Sequence, residues 1–471
     1  MPLESATPRP EQFILPERPF GTYREYLEAT GETAVRAARD LGPDAVLDTL
    51  AKAGLRGRGG AGFPTATKWT SVKSHPCETR HVVCNAAEGE PGTFKDRWLL
   101  RKNPYATIEG MIIAADVIGA RDIHVAVKGS FAPEIERLQQ AIAETAEAGL
   151  HGYHEFHLVE GPEEYLFGEE KALLEVVEGN EPLPREPHYP PFERGLFATP
   201  RSPNPAVVNN VETFARVPGI VRHGAGWFRA VGTNDTPGPI IYTVSGDVQR
   251  PGVYELPAGI TLNALFNEVA GGPRPGRHFK AAMSGVSSAV ILPGDFGTPT
   301  DFGSMSAIAG LGSAGFVVFD DQASMARVLQ SVARFLYVES CNQCSACKSG
   351  LRMASSAIDD LFDPELASAD DLARARQGAR SAPQGNRCYL PVQGSIVIPA
   401  MMKHFEQELA AQLAAPAKAA PPYVIPKMVD FDEATRTFHH DPAQPRKLPN
   451  WTYEEGTTGP TSRRRDRLVG Y

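Results

Sequence analysis

HVVCNAAEGEPG, residues 81–92, begins as a short apolar run and ends in a turn of carboxylates, Gly and Pro. Such a run, closed by turn residues, reads as a buried strand over 81–85. Downstream, the stretch from about Asn103 to Gly119 reads as a helix and IHVAV, 123–127, as a second strand. Strands alternating with helices indicate an α/β domain with a largely parallel sheet. Sheets of that kind bind ligands in the loops at the carboxyl ends of their strands. Asn85, Glu88 and Glu90 stand in such a loop, where their side chains can hydrogen-bond a ribose or an amide.

Toward the N-terminus, residues 1–30 are Pro-rich and polar and read as an irregular lead-in, followed by a helix from about Glu32 to Ala53. LRGRGGAGFPTATKW, 55–69, then supplies Gly57, Gly59 and Gly62 in a G-x-G-x-x-G pattern. A nucleotide fingerprint of that form should follow a strand; here a helical segment precedes it, which disfavours the ordinary NAD motif. Glycine-freed backbone amides can still approach a phosphate, with Arg58 and Lys68 adding positive charge. The plainer alternative is a flexible turn.

Toward the C-terminus, GEEKALLEVVEGN, 168–180, is an acidic helix whose Gly168, Glu169 and Glu170 mark its start, where negative charge is favourable. Asn209, Asn210 and Thr213 form a turn entering another helix, the composition of a cap. Phe63 and Phe192 read by themselves as core aromatics. The α/β unit ends near Gly224, and the β-branched runs IIYTVSG and GVYEL, closed later by FVVFD at 316–320, form a small β-rich module. From Met325 the apolar positions recur with helical period.

That helix runs into Cys341-x-x-Cys344-x-x-Cys347, with Cys388 following 41 positions later. Three thiolates two residues apart can take three corners of one cubane from a single loop, a remote fourth closing it, as a 4Fe–4S cluster requires. Structural zinc more often uses two separate Cys-x-x-Cys knuckles, and it remains the alternative. A net charge of −9 argues against a nucleic-acid binder. No apolar run is long enough to span a membrane, and the N-terminus lacks a secretory layout, so a cytoplasmic location is expected.

In order, GLRGRGGAGFPTATKW, CNAAEGEPGTFKDR, YLFGEEKALLEVVEGN, VVNNVET and ESCNQCSACKSG closely resemble the flavin-binding NADH dehydrogenase subunit of respiratory complex I, a family that includes the diaphorase subunits of soluble NAD-linked hydrogenases and formate dehydrogenases. The resemblance implies an α/β fold with a Rossmann-like FMN and NADH domain at 45–224 after a lead-in at 1–44. A β-grasp SLBB module at 236–322, a helical 4Fe–4S bundle at 325–413 and a tail at 414–471 follow. It implies that Gly57, Arg58, Gly59, Lys68, Asn85, Glu88, Tyr165, Gly168, Glu169, Glu170, Asn209, Asn210 and Thr213 surround FMN. Phe63, Glu90 and Phe192 would receive NADH, and Cys341, Cys344, Cys347 and Cys388 would hold the cluster. No side chain is expected to act as acid or base, because the flavin carries the chemistry. Expected partners are a thioredoxin-like 2Fe–2S subunit and an iron–sulfur-rich catalytic subunit of formate dehydrogenase or hydrogenase type. Membership of complex I itself is the alternative, and a zinc-stabilised non-catalytic scaffold is the reading outside the class. Ala87 stands where complex I members carry Asp, and Tyr189 where they carry Lys, which leaves the choice between NADH and NADPH open. Asn342, Lys348 and the sequence Cys388-Tyr-Leu-Pro are closer to the soluble branch.

Overall fold

The computed structural model describes residues 13–186, 188–416 and 427–453. Four parallel strands, β1 (His81–Ala86), β2 (Asp122–Lys128), β3 (Glu155–Gly161) and β4 (Ala206–Asn210), lie in the order β3-β2-β1-β4. Val82, Val83 and Cys84 have no exposed surface: helices and loops cover both faces, so the strand is a continuous apolar run. The chain builds outward from β1 through β2 and β3, then returns to β1's other side with β4. The strand order therefore reverses between β1 and β4, and the crevice beyond their carboxyl ends is where such a sheet binds ligands. Asn85 and Asn210 face one another in register at that point.

The helices of this unit are α1 (Tyr23–Thr30), α2 (Ala34–Leu41), α3 (Pro43–Ala53), α4 (Thr65–Lys73), α5 (Lys95–Lys102), α6 (Pro104–Ile118), α7 (Ala132–Glu147), α8 (Glu170–Val177) and α9 (Val211–Arg229). α6 is almost wholly buried; the Asn103 side chain caps its start and Gly119, at φ 72°, ends it. α9 crosses it so closely that a Cβ on Gly110 would lie 2.0 Å from the Phe214 carbonyl oxygen. Gly110→Ala is expected to lower stability by about 3 kcal/mol, read as a drop in the urea midpoint.

Several elements differ from the sequence reading. Helix α1 falls inside the expected irregular lead-in: the Tyr23 and Tyr26 hydroxyls donate to Glu109 at 2.7 and 3.1 Å, burying two aromatics while satisfying their polar tips. Residues 1–12 lie outside the described residues. The single helix expected over Glu32–Ala53 is two, α2 and α3, because Gly42 adopts φ 82° and Pro43 takes the first position of α3.

Strands β5 (Pro239–Gly246), β6 (Gly252–Pro257), β7 (Phe279–Ser284) and β8 (Gly315–Asp320) form a mixed sheet ordered β6-β5-β8-β7, with α10 (Phe302–Ser306) beside it. β5 and β8 run parallel and the outer pairs antiparallel, the β-grasp module. A bundle follows, α11 (Met325–Glu339), α12 (Ser345–Asp360), α13 (Asp370–Ser381), α14 (Leu390–His404) and α15 (Glu406–Ala414), around a core that includes Leu336, Leu351 and Val397.

The tail beyond 414 packs on the rest of the chain where it is described. β9 (Met428–Asp432) and β10 (Thr437–His440) form a hairpin whose Met428 and Phe431 pack on Phe94 and Trp98, while Lys447 is wholly buried. Met428 and Phe431 are the buried residues of β9, and the parallel-sheet unit covers them. Residues 417–426 and the terminal SRRRDRLVGY lie outside the described residues. Among the described residues, no helix is long and apolar enough to cross a membrane.

Candidate functional site

A cavity of about 860 Å³ lies at the reversal between β1 and β4, walled by all three units. Its size is that of a cofactor site. Asn85 Nδ2 donates to the Gly168 carbonyl at 2.8 Å, tying the end of β1 to a 3-10 turn at Tyr165–Gly168. Glu88 faces the start of α5, where Oε1 accepts from the Asp96 N–H at 3.0 Å and Oε2 pairs with Arg97 at 2.9 Å. Glu90 is held from two other directions. It accepts from the Val286 N–H at 2.7 Å and the Tyr165 hydroxyl at 2.5 Å, and burial raises its pKa against those donors. Tyr165 in turn accepts from Gln393 of α14 at 2.8 Å.

The glycine loop closes on itself, the Gly57 N–H donating to the Phe63 carbonyl at 2.9 Å. A Cβ on Gly59 would lie 3.2 Å from Asn210 Cβ, so glycine lets the loop rest on the end of β4. The expected cofactor residues divide into two layers. Gly59, Asn85, Glu88, Glu90, Tyr165, Gly168, Glu169, Glu170 and Asn210 line the cavity; Gly57, Arg58, Lys68, Asn209 and Thr213 do not. The Arg58 N–H donates to Thr213 Oγ1 at 2.8 Å and its guanidinium to the Pro237 carbonyl at 2.8 Å, so this cation fastens the β-grasp module. Burial lowers its pKa to about 10. Lys68 reaches Glu170 at 2.5 Å and the Val208 carbonyl at 2.8 Å, and Asn209 accepts from Trp69 at 2.9 Å. Glu169 caps α8 through the Lys171 and Ala172 N–H groups as well as lining the cavity. Phe63 and Phe192 stack on each other with centroids 6.3 Å apart, and neither lines the cavity. Ala87 lines it; Tyr189 does not.

Three residues that bind the site together, Lys95, Asp96 and Glu212, escape the sequence reading. Lys95 Nζ lies 2.7 Å from Asp96, 3.1 Å from Asn210 Oδ1 and 3.1 Å from Glu212. Burial pulls the Lys95 pKa down, but Asp96 and Glu212 outweigh it and the ammonium is held above its ordinary value. Burial pushes Asp96 up to about 6 despite that neighbour. In sequence, Lys-Asp-Arg reads as an exposed helix start; its one signal is that it closes a motif beginning in a buried strand. From the β-grasp side, Phe302 lines the cavity beneath Arg56, whose guanidinium lies 4.8 Å from the ring centroid.

The cysteines meet where α11 gives way to α12. Cys344 is the N-cap of α12, Cys347 lies in its first turn, and Cys388 arrives just before α14. All four line one small, largely apolar cavity. A tetrahedral zinc with four thiolates needs sulfurs about 3.8 Å apart. A cubane spreads its thiolates wider, one on each iron, and the N-terminus of α12 adds positive potential for its negative charge. Four thiols on one small cavity therefore fit a 4Fe–4S cluster. Cys388, Leu166 and Leu390 line both cavities, so a single layer of side chains separates the two sites.

Residues 50–219 match the Nuo51 FMN-binding domain, 241–287 the SLBB domain, and 327–412 the NADH-ubiquinone oxidoreductase-F iron-sulfur binding region. The larger cavity fits FMN, with glycine-loop backbone and polar side chains along its wall, and the chain is an NAD(H)-dependent oxidoreductase component carrying FMN and a 4Fe–4S cluster. It is 38% identical over 404 residues to the NADH-quinone oxidoreductase F 2 subunit of Rhizobium meliloti (strain 1021), covering 83% of this chain and 92% of that one. The NADH-quinone oxidoreductase F subunit of Aquifex aeolicus (strain VF5) is 35% identical over 360 residues, covering 74% and 81%. The chain belongs to this family of NADH-quinone oxidoreductase F subunits. Among solved structures, an NAD+-reducing [NiFe]-hydrogenase in the H2-reduced state superimposes with a TM-score of 0.73 at 34% identity, over 86% of this chain and 69% of that one.

Proposed function

We propose that this chain is the diaphorase component of a cytoplasmic multi-subunit dehydrogenase, passing a hydride between NAD(H) and FMN and single electrons through the cluster. The observation that carries this reading is the shared wall of Cys388, Leu166 and Leu390. Bound FMN supplies the exchange between a two-electron hydride and one-electron carriers. The protein's part is positioning. Gly59, Gly60 and Ala61 present backbone to the cofactor, Asn210 and Lys95 brace the floor at the strand-order reversal, and Glu90 waits with its carboxylate fixed by Val286 and Tyr165. Gly57, Arg58, Lys68, Asn209 and Thr213 act from behind, holding the loop and strand ends that touch the cofactor. Phe63 and Phe192 take part by offering a stacked aromatic face to the dinucleotide. No proton-transferring side chain is needed for the hydride step.

The companion subunits we propose are a thioredoxin-like 2Fe–2S chain and an iron–sulfur-rich catalytic chain, of formate dehydrogenase type in preference to hydrogenase type. Asn342, Lys348 and Cys388-Tyr-Leu-Pro around the cluster, together with the likeness to an NAD+-reducing hydrogenase, support a companion of the soluble branch over complex I. Affinity purification of the tagged chain from its own cells tests this. The expected result is a yellow-brown complex that releases FMN on acid treatment and reduces NAD+ with formate. A complex that reduces NAD+ with hydrogen only, or one that brings membrane subunits and quinone reduction, overturns the formate assignment.

A further inference from the structure

The described part of the tail is tied to the wall between the two sites. Lys447 and Glu339 form an ion pair at 2.9 Å in which both side chains are 0% exposed. Glu339, at the end of α11, accepts from the Lys447 ammonium on both oxygens and from Gln444 Nε2 at 3.0 Å. Its Oε2 also accepts the backbone N–H of Tyr165 at 3.1 Å. Tyr165 starts the 3-10 turn whose next residue, Leu166, lines both cavities, and its ring packs edge-on against Phe335 at 5.3 Å. The same segment reaches the cluster loop, where the Pro449 carbonyl accepts from Lys348 at 2.5 Å and from Asn342 at 3.4 Å. Asn342 stands at φ 68°, the left-handed region that asparagine tolerates better than most non-glycine residues.

We propose that the C-terminal hairpin segment is a strut of the electron path, in which Lys447 holds Glu339 and Glu339 holds Tyr165, so that Leu166 stays packed between flavin and cluster. Lys447 and Glu339 are positioning residues, touching neither cofactor. Without the ammonium, the buried Glu339 carboxylate would lose its paired cation and keep only the Gln444 amide, the Tyr165 N–H and the field of Lys427. It would turn toward water and release the Tyr165 backbone, and voids in the wall would interrupt the close-packed path between the sites. Because Lys447 reaches Tyr165 through Glu339, the strut acts chiefly on electron exit and touches hydride entry only through the Tyr165–Glu90 hydrogen bond.

This inference rests on the assignment of the two cavities to FMN and the cluster. Its test uses the full-length holoprotein mixed rapidly with saturating NADH, following flavin bleaching optically and cluster reduction by freeze-quench EPR. Lys447→Met is expected to leave the bleaching rate within about twofold of native and to slow cluster reduction at least tenfold, with the KM for NADH rising because Glu90 loses a firm partner. Lys447→Arg should restore cluster reduction to within about threefold. Should Lys447→Met fail to fold, the neutral pair Lys447→Met with Glu339→Gln keeps an acceptor for the Tyr165 N–H and should reduce the cluster at a near-native rate. Equal slowing of both steps in Lys447→Met, unchanged cluster reduction, or a neutral pair tenfold slow in cluster reduction overturns the strut. Absence of flavin bleaching by NADH in the native protein overturns the cofactor assignment instead.

Discussion

Cys344→Ser should abolish the EPR signal of the reduced cluster and cut electron delivery to a protein partner at least a hundredfold, while NADH still bleaches the flavin. Cys344 lines the cluster cavity and is the N-cap of α12 without a side-chain cap hydrogen bond, so serine preserves the helix start and removes only the sulfur. An alcohol oxygen is a far weaker ligand for iron than a thiolate. The flavin-side cavity keeps its lining, because of the four cysteines only Cys388 reaches it. Purified variant and native protein, compared by iron content, EPR and rapid mixing with NADH, give the answer. Unchanged delivery to the partner would mean that electrons leave by another route.

Lys95→Met should destabilise the protein by about 3–5 kcal/mol, the cost of breaking a buried ion pair from one side, and should strip it of FMN. Lys95 is 1% exposed and stands among Asp96, Glu212 and Asn210. Glu212 is fully buried and also accepts from Arg216 at 2.9 Å and from the Ile241 N–H at 3.1 Å, so one ammonium steadies the sheet unit, the cavity floor and the first strand of the β-grasp module. Urea unfolding and flavin content per chain measure both effects. Adding Glu212→Gln to Lys95→Met relieves one stranded charge and should recover part of the lost stability, since residues in one network do not act additively.

What the sequence discloses follows from how locally each feature is encoded. β1 is buried on both faces, so its apolar run is unambiguous, and the cysteine spacing reports a cluster because three ligands come from one loop. β3 escapes notice because it is a partly exposed edge strand, EFHLVEG, with only its last residue buried; β4 escapes because AVVNN is short and the helix cap that follows it dominates the reading. The break at Gly42 is written in Leu-Gly-Pro-Asp yet overridden by the helical period around it. Lys95, Asp96 and Glu212 are invisible because charged residues are rarely buried unless paired, and their partners come from elsewhere in the chain. The packing of the tail is hidden for a similar reason: its anchors are Phe94, Trp98 and Glu339, distant in sequence.

Glu90 is fixed by Val286 of the β-grasp module and by Tyr165, which leans on Gln393 and Glu339 of the bundle. A gene fragment encoding only the parallel-sheet unit would retain the order of its strands but lose Val286, Gln393 and Glu339 together. The three units therefore form one heritable cassette: recombination that swapped a single unit would deliver a flavin fold whose cavity carboxylate, Glu90, has nothing to hold it in register.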